Sequence, residues 1–490
     1  MIKKALLIIP SNTMPADSIR RLATPLGLLY LASVLESDYQ VKIIDSTCEG
    51  YFNHYFNSDK TYITYGLSDA DLKKQIADFA PDIVGVSCMF TARTSDALHT
   101  CKLVKEIDST IPVVLGGIQG SLSPDEILDS GVVDFIIMGE GEFRLKSLIE
   151  SLNKSKAPDF DGVAYLKKGK HVINYMQNRI QDLDSIPLPA RHLINMEKYI
   201  EIGVPFAPFS RRDRVEQILT SRGCPQHCNF CSSVAYWGRQ YRARSVDNIM
   251  KEVELLVSKY NIQELQFTDD NLTMNRKRAM DLFTRLTEYK LSWCTPNGLM
   301  MRTLDEPMIK LMAKSGAYQI TCAIESGSPR VREEIIHKNV PPLEQVKRIA
   351  DVARENGIQI HGTFIVGFPG ETREEMEITF EYPAKAGFDS ASFFIATPLL
   401  GSELFNFCKE KGYLSANPDR ADLKRVNILI PSDSPDFVID AAELEALVET
   451  KTREFNDISR QRDPQAWDVK FKRFLERHPD DADLILGRVT

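Results

Sequence analysis

Over the first 150 residues short apolar runs alternate with stretches of helical period. ALLII (residues 5–9) is followed by an apolar-rich helical pattern at 26–35, VKIID (41–45) stands alone, and DIVGVS (82–87) precedes a helical pattern at 96–107. PVVLGG (112–117) precedes a helical pattern at 124–128, and DFIIMGEGE closes the series at 134–142. Strands alternating with helices predict a doubly wound, Rossmann-like parallel sheet. Ligands of such sheets sit beyond the carboxyl ends of the strands. Those ends carry Pro10-Ser11-Asn12, Ser87-Cys88-Met89-Phe90, Gly116-Gly117-Ile118-Gln119 and Gly139-Glu140-Gly141-Glu142. No G-x-G-x-x-G follows the first strand, which weighs against a dinucleotide. Small residues at several strand ends would admit a broad, flat ligand, and they read equally well as tight turns.

Residues 151–211 read as a connector, with a hairpin pattern in VAYLKKGKHVINY and the proline-bearing IPLPARH after it. A second series then begins. VEQILTS, IQELQFT, LSWCTP, YQITCAIE, IQIHGTFIVG and SASFFIAT are strand candidates, separated by helical stretches such as 246–259, 277–289 and 343–355. Six such units over residues 212–412 predict a partial (β/α)6 barrel, with its active site at the carboxyl ends of the strands. Residues 413–490 predict a small helical domain, in which Leu444, Leu447, Val448 and Phe455, and Trp467, Phe471, Phe474 and Leu475, fall on single helical faces. Stripes of that kind are core packing.

A chain of 490 residues predicts two or three domains, and 43% hydrophobic with 26% charged residues is the balance of a soluble globular protein. The net charge of -8 weighs against a nucleic-acid partner. The basic start MIKK leads into an apolar run that stops at Pro10, too short for a signal peptide, and no stretch approaches the roughly 20 apolar residues of a membrane span. A cytoplasmic protein is expected. Nine cysteines, an odd number, make a disulfide framework a poor reading.

Three of those cysteines crowd into eight residues, in Ser221-Arg222-Gly223-Cys224-Pro225-Gln226-His227-Cys228-Asn229-Phe230-Cys231. Thiolates at this spacing suit an iron-sulfur cluster, because one short loop can wrap a cubane while leaving one iron without a protein ligand. The alternative is a structural zinc site with His227 as fourth ligand, although zinc sites usually close with a second Cys or His pair that this chain lacks.

The spacing of Cys224, Cys228 and Cys231, with aromatic Phe230 before the last cysteine, resembles the signature of radical S-adenosylmethionine (SAM) enzymes. The resemblance implies a 4Fe-4S cluster on the three cysteines. Its open iron would take the amino and carboxylate groups of SAM, and reductive cleavage would give a 5'-deoxyadenosyl radical. Further segments resemble the family's motifs in order. Asp269 and Asp270 match the acidic element near the methionyl amine, where carboxylates suit an ammonium. Glu325 and Ser326 match the ribose or methionine segment, Gly367 in Gly362 to Glu371 the adenine segment, and Thr397 the sixth-strand closure, while Phe230 would lie near the adenine.

The amino-terminal half is similar to the cobalamin-binding domain of one large branch of this superfamily, that of class B radical SAM methylases. The similarity rests on Thr24-Pro25-Leu26-Gly27-Leu28-Leu29-Tyr30-Leu31-Ala32, Gly116-Gly117 and Val133-Asp134 running into Gly139-Glu140-Gly141-Glu142. It implies cobalamin contacts at Pro10, Ser11, Asn12, Ser87, Met89, Gly116, Gly117, Gln119, Gly139, Glu140 and Gly141. The D-x-H-x-x-G motif that gives cobalt a histidine is absent, and Gln119 stands where relatives often carry histidine. The implied reaction is methyl transfer from methylcobalamin to an unactivated carbon or phosphorus of a small-molecule or lipid-like substrate. The implied electron donor is flavodoxin or ferredoxin. A radical cyclase, dehydratase or rearrangement enzyme, and a non-catalytic metal protein, are the alternative readings. Cys294, Cys322 and His361 are expected to be barrel core residues without chemistry.

Overall fold

The computed structural model describes residues 1–16, 18–207, 210–414, 435–462 and 475–476. In the amino-terminal half, β1 (Lys4–Ile9), β2 (Gln40–Asp45), β3 (Ile83–Ser87), β4 (Val113–Gly116) and β5 (Phe135–Ile137) run parallel in the order β2-β1-β3-β4-β5. Successive side chains leave opposite faces of a strand, so Leu6 and Ile8 enter one core and Ala5 and Leu7 another. The first core packs helices Asp69–Phe79 and Thr94–Ile107, the second Leu26–Leu35 and Glu142–Asn153. Burial on both faces is what makes these strands read as unbroken apolar runs. The chain crosses to opposite faces after β1 and after β2, which opens a crevice at the strand ends between β1 and β3.

The sequence assigned the hairpin to the connector. In the structure β6 (Val163–Lys167) and β7 (Lys170–Asn174) add antiparallel to β5, with Phe135 opposite Tyr165, and so cover an edge that would otherwise lie open. Helix Glu142–Asn153 likewise runs past residue 150. A small antiparallel sheet of Asn12–Pro15, Tyr62–Tyr65 and His54–Phe56 flanks the crevice and was not anticipated.

In the second half, β8 (Val215–Ile218), β9 (Glu264–Phe267), β10 (Ser292–Leu299), β11 (Ala317–Glu325), β12 (Gln359–Val366) and β13 (Ser390–Ile395) pair in chain order, all parallel. This is the predicted open six-stranded barrel. Trp293 anchors its wall, stacked on Phe283 at 5.1 Å. Helix Ala441–Arg462 does not build a core of its own: Leu444, Val448 and Phe455 are buried in the barrel core, against β13. Trp467, Phe471 and Phe474 lie outside the described residues, and Leu475 packs against a buried cluster that includes Met14 and Tyr51 of the first half. Among the described residues no helix is long and apolar enough to cross a membrane.

A buried polar seam joins the two halves. Arg191 reaches Glu216 at 3.0 Å and Glu252 at 2.7 Å, Glu252 also holds Arg244, and the Thr24 hydroxyl donates to Glu216 at 2.6 Å. A seam of paired charges fixes orientation more than it adds stability, because each charge needs its partner.

Candidate active site

β8 ends at Ile218, and two residues later Ser221–Arg222 pairs antiparallel with Arg242–Ala243. The chain can turn there only through glycine. Gly223 has φ +84°, and a Cβ on it would stand 2.3 Å from the Gln240 carbonyl oxygen. The next residues place Cys224, Cys228 and Cys231 as free, half-buried thiols. The Cys231 amide donates to the Cys228 carbonyl at 3.1 Å, the Asn229 amide to Ile336 at 3.0 Å, and the Leu404 amide to the Asn229 carbonyl at 2.9 Å. The loop is therefore clamped from both sides. Gly223→Ala is expected to spoil it, and iron and sulfide assays after reconstitution should show the cluster largely lost while the circular dichroism spectrum is kept.

Burial pushes the Cys228 thiol up to about 12 and the Cys231 thiol to about 11, and raises Cys224 as well. A bound cation must displace those protons. Among the described residues no three His, Cys, Asp or Glu side chains converge tightly enough to hold a single metal ion, and His227 is exposed. Three soft thiol donors on one short loop fit an iron-sulfur cluster.

The strand-end motifs divide the work unevenly. Asp269 is turned back into the protein, accepting from the Thr220 amide at 3.2 Å and the Thr220 hydroxyl at 2.7 Å, as well as from Ser221. Asp270, next to it, accepts only from Ser233, at 2.7 Å, and its charge is felt by Cys224 and Cys231. Of the two carboxylates, Asp270 alone faces the cysteine loop. Glu325 ends β11 at φ +70°, a strained conformation for a non-glycine residue, and pairs with Lys338 at 2.7 Å. Burial works against the Lys338 ammonium, but Glu325 and the nearby thiols hold its pKa above the ordinary value. Lys338 carries no motif and was missed, because it arrives from the turn after β11. Ser326 is wholly buried, its hydroxyl within 2.9 Å of that of Thr379, and Thr397 donates back to the Ile395 carbonyl. These two shape backbone rather than present a side chain.

Phe230 packs on Phe368 of the Gly367-Phe368-Pro369-Gly370-Glu371 turn, with ring centroids 6.1 Å apart. One Glu371 oxygen accepts from the Gly367 amide at 2.7 Å and the Phe368 amide at 3.1 Å, whereas the other is buried without a partner. Burial pushes Glu371 up to about 8. A carboxyl whose folded pKa exceeds its unfolded value of 4.5 favours folding below 4.5 and loses that advantage as the pH rises toward 8. Glu371→Gln should therefore narrow the loss of melting temperature between pH 5 and pH 8 relative to the parent. Parallel curves for the two proteins would refute this.

The amino-terminal motifs converge on a cleft of about 410 Å³, partly open to solvent, between the sheet and the barrel. That lies within the ~300–1,000 Å³ of small-molecule sites. Ser87, Met89, Gly116, Gly117, Gly139, Glu140 and Gly141 line it, and Met89 and Phe90 are exposed at its mouth. Gly117 has φ +103°, and a Cβ there would meet the Cys88 carbonyl oxygen at 2.4 Å, so this strand end stays bare backbone. Pro10, Ser11 and Asn12 line an adjoining pocket of about 240 Å³ that shares Ser87, Met89 and Phe90. Gln119 is buried beneath this floor, its carboxamide oxygen without a partner, and does not line the cleft. Bare glycine backbone at several strand ends, with exposed aromatic and thioether groups at the mouth, fits a broad, flat ring such as a corrin. The Glu140 carboxylate, by contrast, is taken up by Arg222 and Arg242 at 2.8 Å and by the Ile180 amide, so it offers the cleft no free oxygen.

The opposite wall of the cleft comes from the cysteine loop and its following helix: Arg222, Tyr236 and Trp237. Tyr236 donates to the Gly139 carbonyl at 3.0 Å. These three wall residues were not singled out in the sequence. Cys294 and Cys322 are buried, and His361 Nδ1 lies 2.8 Å from the Ser390 hydroxyl, as expected of core residues.

Comparison with known proteins agrees with this division. The radical SAM superfamily model matches residues 218–382, and the B12 binding domain model matches residues 14–149. The cytidylyl-2-hydroxyethylphosphonate methyltransferase of Streptomyces wedmorensis is 37% identical over 93% of this chain and 90% of its own length. An uncharacterized methyltransferase of Pyrococcus horikoshii is 34% identical over 83% of each. Two solved structures share the fold. The cobalamin-dependent SAM radical enzyme OxsB superposes with a TM-score of 0.71 at 16% identity, covering 99% of this chain and 72% of that one. The radical SAM methyltransferase TsrM from Kitasatospora setae does so with 0.67 at 17% identity, covering 84% and 78%. The chain belongs to the cobalamin-dependent radical SAM methyltransferases, enzymes whose cofactors are a 4Fe-4S cluster, SAM and cobalamin.

Proposed function

We propose that the chain moves a methyl group onto an unactivated carbon or phosphorus of a small molecule held between the barrel mouth and the amino-terminal sheet. One observation carries the reading: a single cleft has bare glycine strand ends for one wall and the residues flanking the cysteine loop for the other. The bound cofactors supply a 5'-deoxyadenosyl radical and a transferable methyl group. The chain's own residues fix where the two meet. Cys224, Cys228 and Cys231 hold the cluster, and Asp270 supplies a carboxylate toward the methionyl ammonium. Phe230 and Phe368 offer an aromatic face for adenine, while Gly116, Gly117, Gly139 and Gly141 admit the corrin against backbone. Apolar lining around the cleft keeps water from a radical that would otherwise be quenched. The electron comes from an external one-electron donor such as flavodoxin or ferredoxin.

The substrate of the Streptomyces relative, a cytidylyl-linked phosphonate by its name, is the first compound to try. The test is anaerobic reconstitution with iron, sulfide and hydroxocobalamin, then incubation with dithionite-reduced electron donor and SAM. Methyl transfer produces both 5'-deoxyadenosine and S-adenosylhomocysteine. A chain that binds no corrinoid, or that yields 5'-deoxyadenosine alone with substrate present, is a cyclase or rearrangement enzyme instead.

A further inference from the structure

Arg222 stands two residues before Cys224, yet its guanidinium is committed to the other domain. Nη1 reaches Glu140 at 2.8 Å and Nη2 reaches Glu142 at 2.6 Å, the one in the loop after β5 and the other opening helix Glu142–Asn153, and both line the cleft. Arg222 is sandwiched by aromatic rings, with its guanidinium carbon 5.1 Å from the Trp237 ring and 5.6 Å from that of Tyr30. Arg222, Glu140, Glu142 and Tyr30 are nearly closed to solvent, with Trp237 half-buried, so exchange with water does little to weaken the ion pairs. Arg242 binds Glu140 from the strand paired with Arg222, which doubles the tie. The seam described above adjoins this tie, since its Arg244 reaches the Tyr30 hydroxyl at 3.3 Å and the Leu219 carbonyl at 3.1 Å.

We propose that Arg222, gripping Glu140 and Glu142, is a positioning residue that sets the separation between the cluster and the corrin. The inference rests on the methyl-transfer reading in that it takes both cofactors to be bound. One planar guanidinium bonded through two of its nitrogens to two different carboxylates fixes direction as well as distance, which a lysine at this position would not do. Movement of the cysteine loop away from the glycine wall is resisted two residues before its first cysteine. Misplacement by about 1 Å is enough to cost a reaction roughly 100-fold, so a clamp at this point controls whether each radical ends in a methylated product.

The test measures the separation itself. Parent, Arg222→Gln and Glu142→Ala proteins are reconstituted with iron, sulfide and hydroxocobalamin and reduced until cluster and cob(II)alamin are both paramagnetic. Their distance distribution is then read by pulsed electron paramagnetic resonance. The parent should give one narrow distribution and both variants a broadened or displaced one, at unchanged iron content. A folded variant with the parent's distribution overturns the proposal, and if Arg222→Gln fails to fold, Glu142→Ala decides. If the chain takes up no corrinoid, the methyl-transfer reading fails on its own. The clamp is then judged by hydrogen exchange of the cluster-loaded Glu142→Ala protein. Faster exchange across residues 219–231, in the domain that was not altered, supports it; unchanged exchange there overturns it.

Discussion

Cys228→Ala is expected to reduce SAM cleavage to the level of an enzyme-free control while leaving corrinoid uptake near that of the parent. Cys228 lies against Phe230 and the Val331–Phe368 cluster, and Glu325 and Lys338 both act on it electrostatically. It is thus the cysteine set between the loop and the acidic and basic groups of the strand ends. Removing it leaves Cys224 and Cys231, two donors where an open-site cubane needs three. The substitution deletes a single sulfur atom from a half-buried position, so the loop contacts at Asn229 and Leu404 remain, and folding should survive. The corrin cleft is built from other residues, which makes corrinoid binding the internal control. Iron per chain, 5'-deoxyadenosine per chain and bound corrinoid are measured on one preparation. Deoxyadenosine formation above the control in a variant with no bound iron would remove the cysteine loop from the chemistry.

The strands were legible because burial on both faces writes them as apolar runs, and their parallel pairing followed from the intervening helices. The order β2-β1-β3-β4-β5 was not, since it depends on which face each crossover takes. The cysteine loop was legible because three cysteines lie within eight residues of chain. Asp269 and Asp270 show where that kind of reading stops. Adjacent residues leave a strand end in opposite directions, and composition cannot say which turns inward to Thr220 and which toward the cysteines. Glu140 has the sequence of a cleft residue and the contacts of a domain tie. Lys338 and Arg222 were invisible for the opposite reason: each acquires its role from a partner distant along the chain. The tail's apolar stripe predicted packing correctly but not its partner, the barrel wall at β13.

Arg191→Met is expected to destabilise the protein by about 3–5 kcal/mol, the cost of breaking a buried ion pair from one side. The Arg191 side chain is wholly closed to solvent, and its fork is fully used: Nε on Glu216, Nη1 on Glu252 and Nη2 on the Gln217 carbonyl. Methionine fills much the same space, so the loss is electrostatic rather than a cavity. Glu252 keeps Arg244, but Glu216 is left with the Thr24 hydroxyl alone. Burial already raises the Glu216 pKa above 4.5 with Arg191 pulling it down, and removing that pull raises it further. A raised carboxyl stabilises the fold below its unfolded pKa and loses that contribution as the pH climbs. The deficit should therefore be larger at pH 8 than at pH 5, and Glu216→Gln in the Arg191→Met background should recover part of it at the higher pH. Lys347→Met, which breaks a pair with Asp351 that is 47% and 40% exposed, is the control and should cost less than about 1 kcal/mol. Denaturant melts of the four proteins at the two pH values decide the matter. An Arg191→Met deficit no larger than that of the exposed control would mean that solvent reaches the seam and that its charges do not hold the two domains in register.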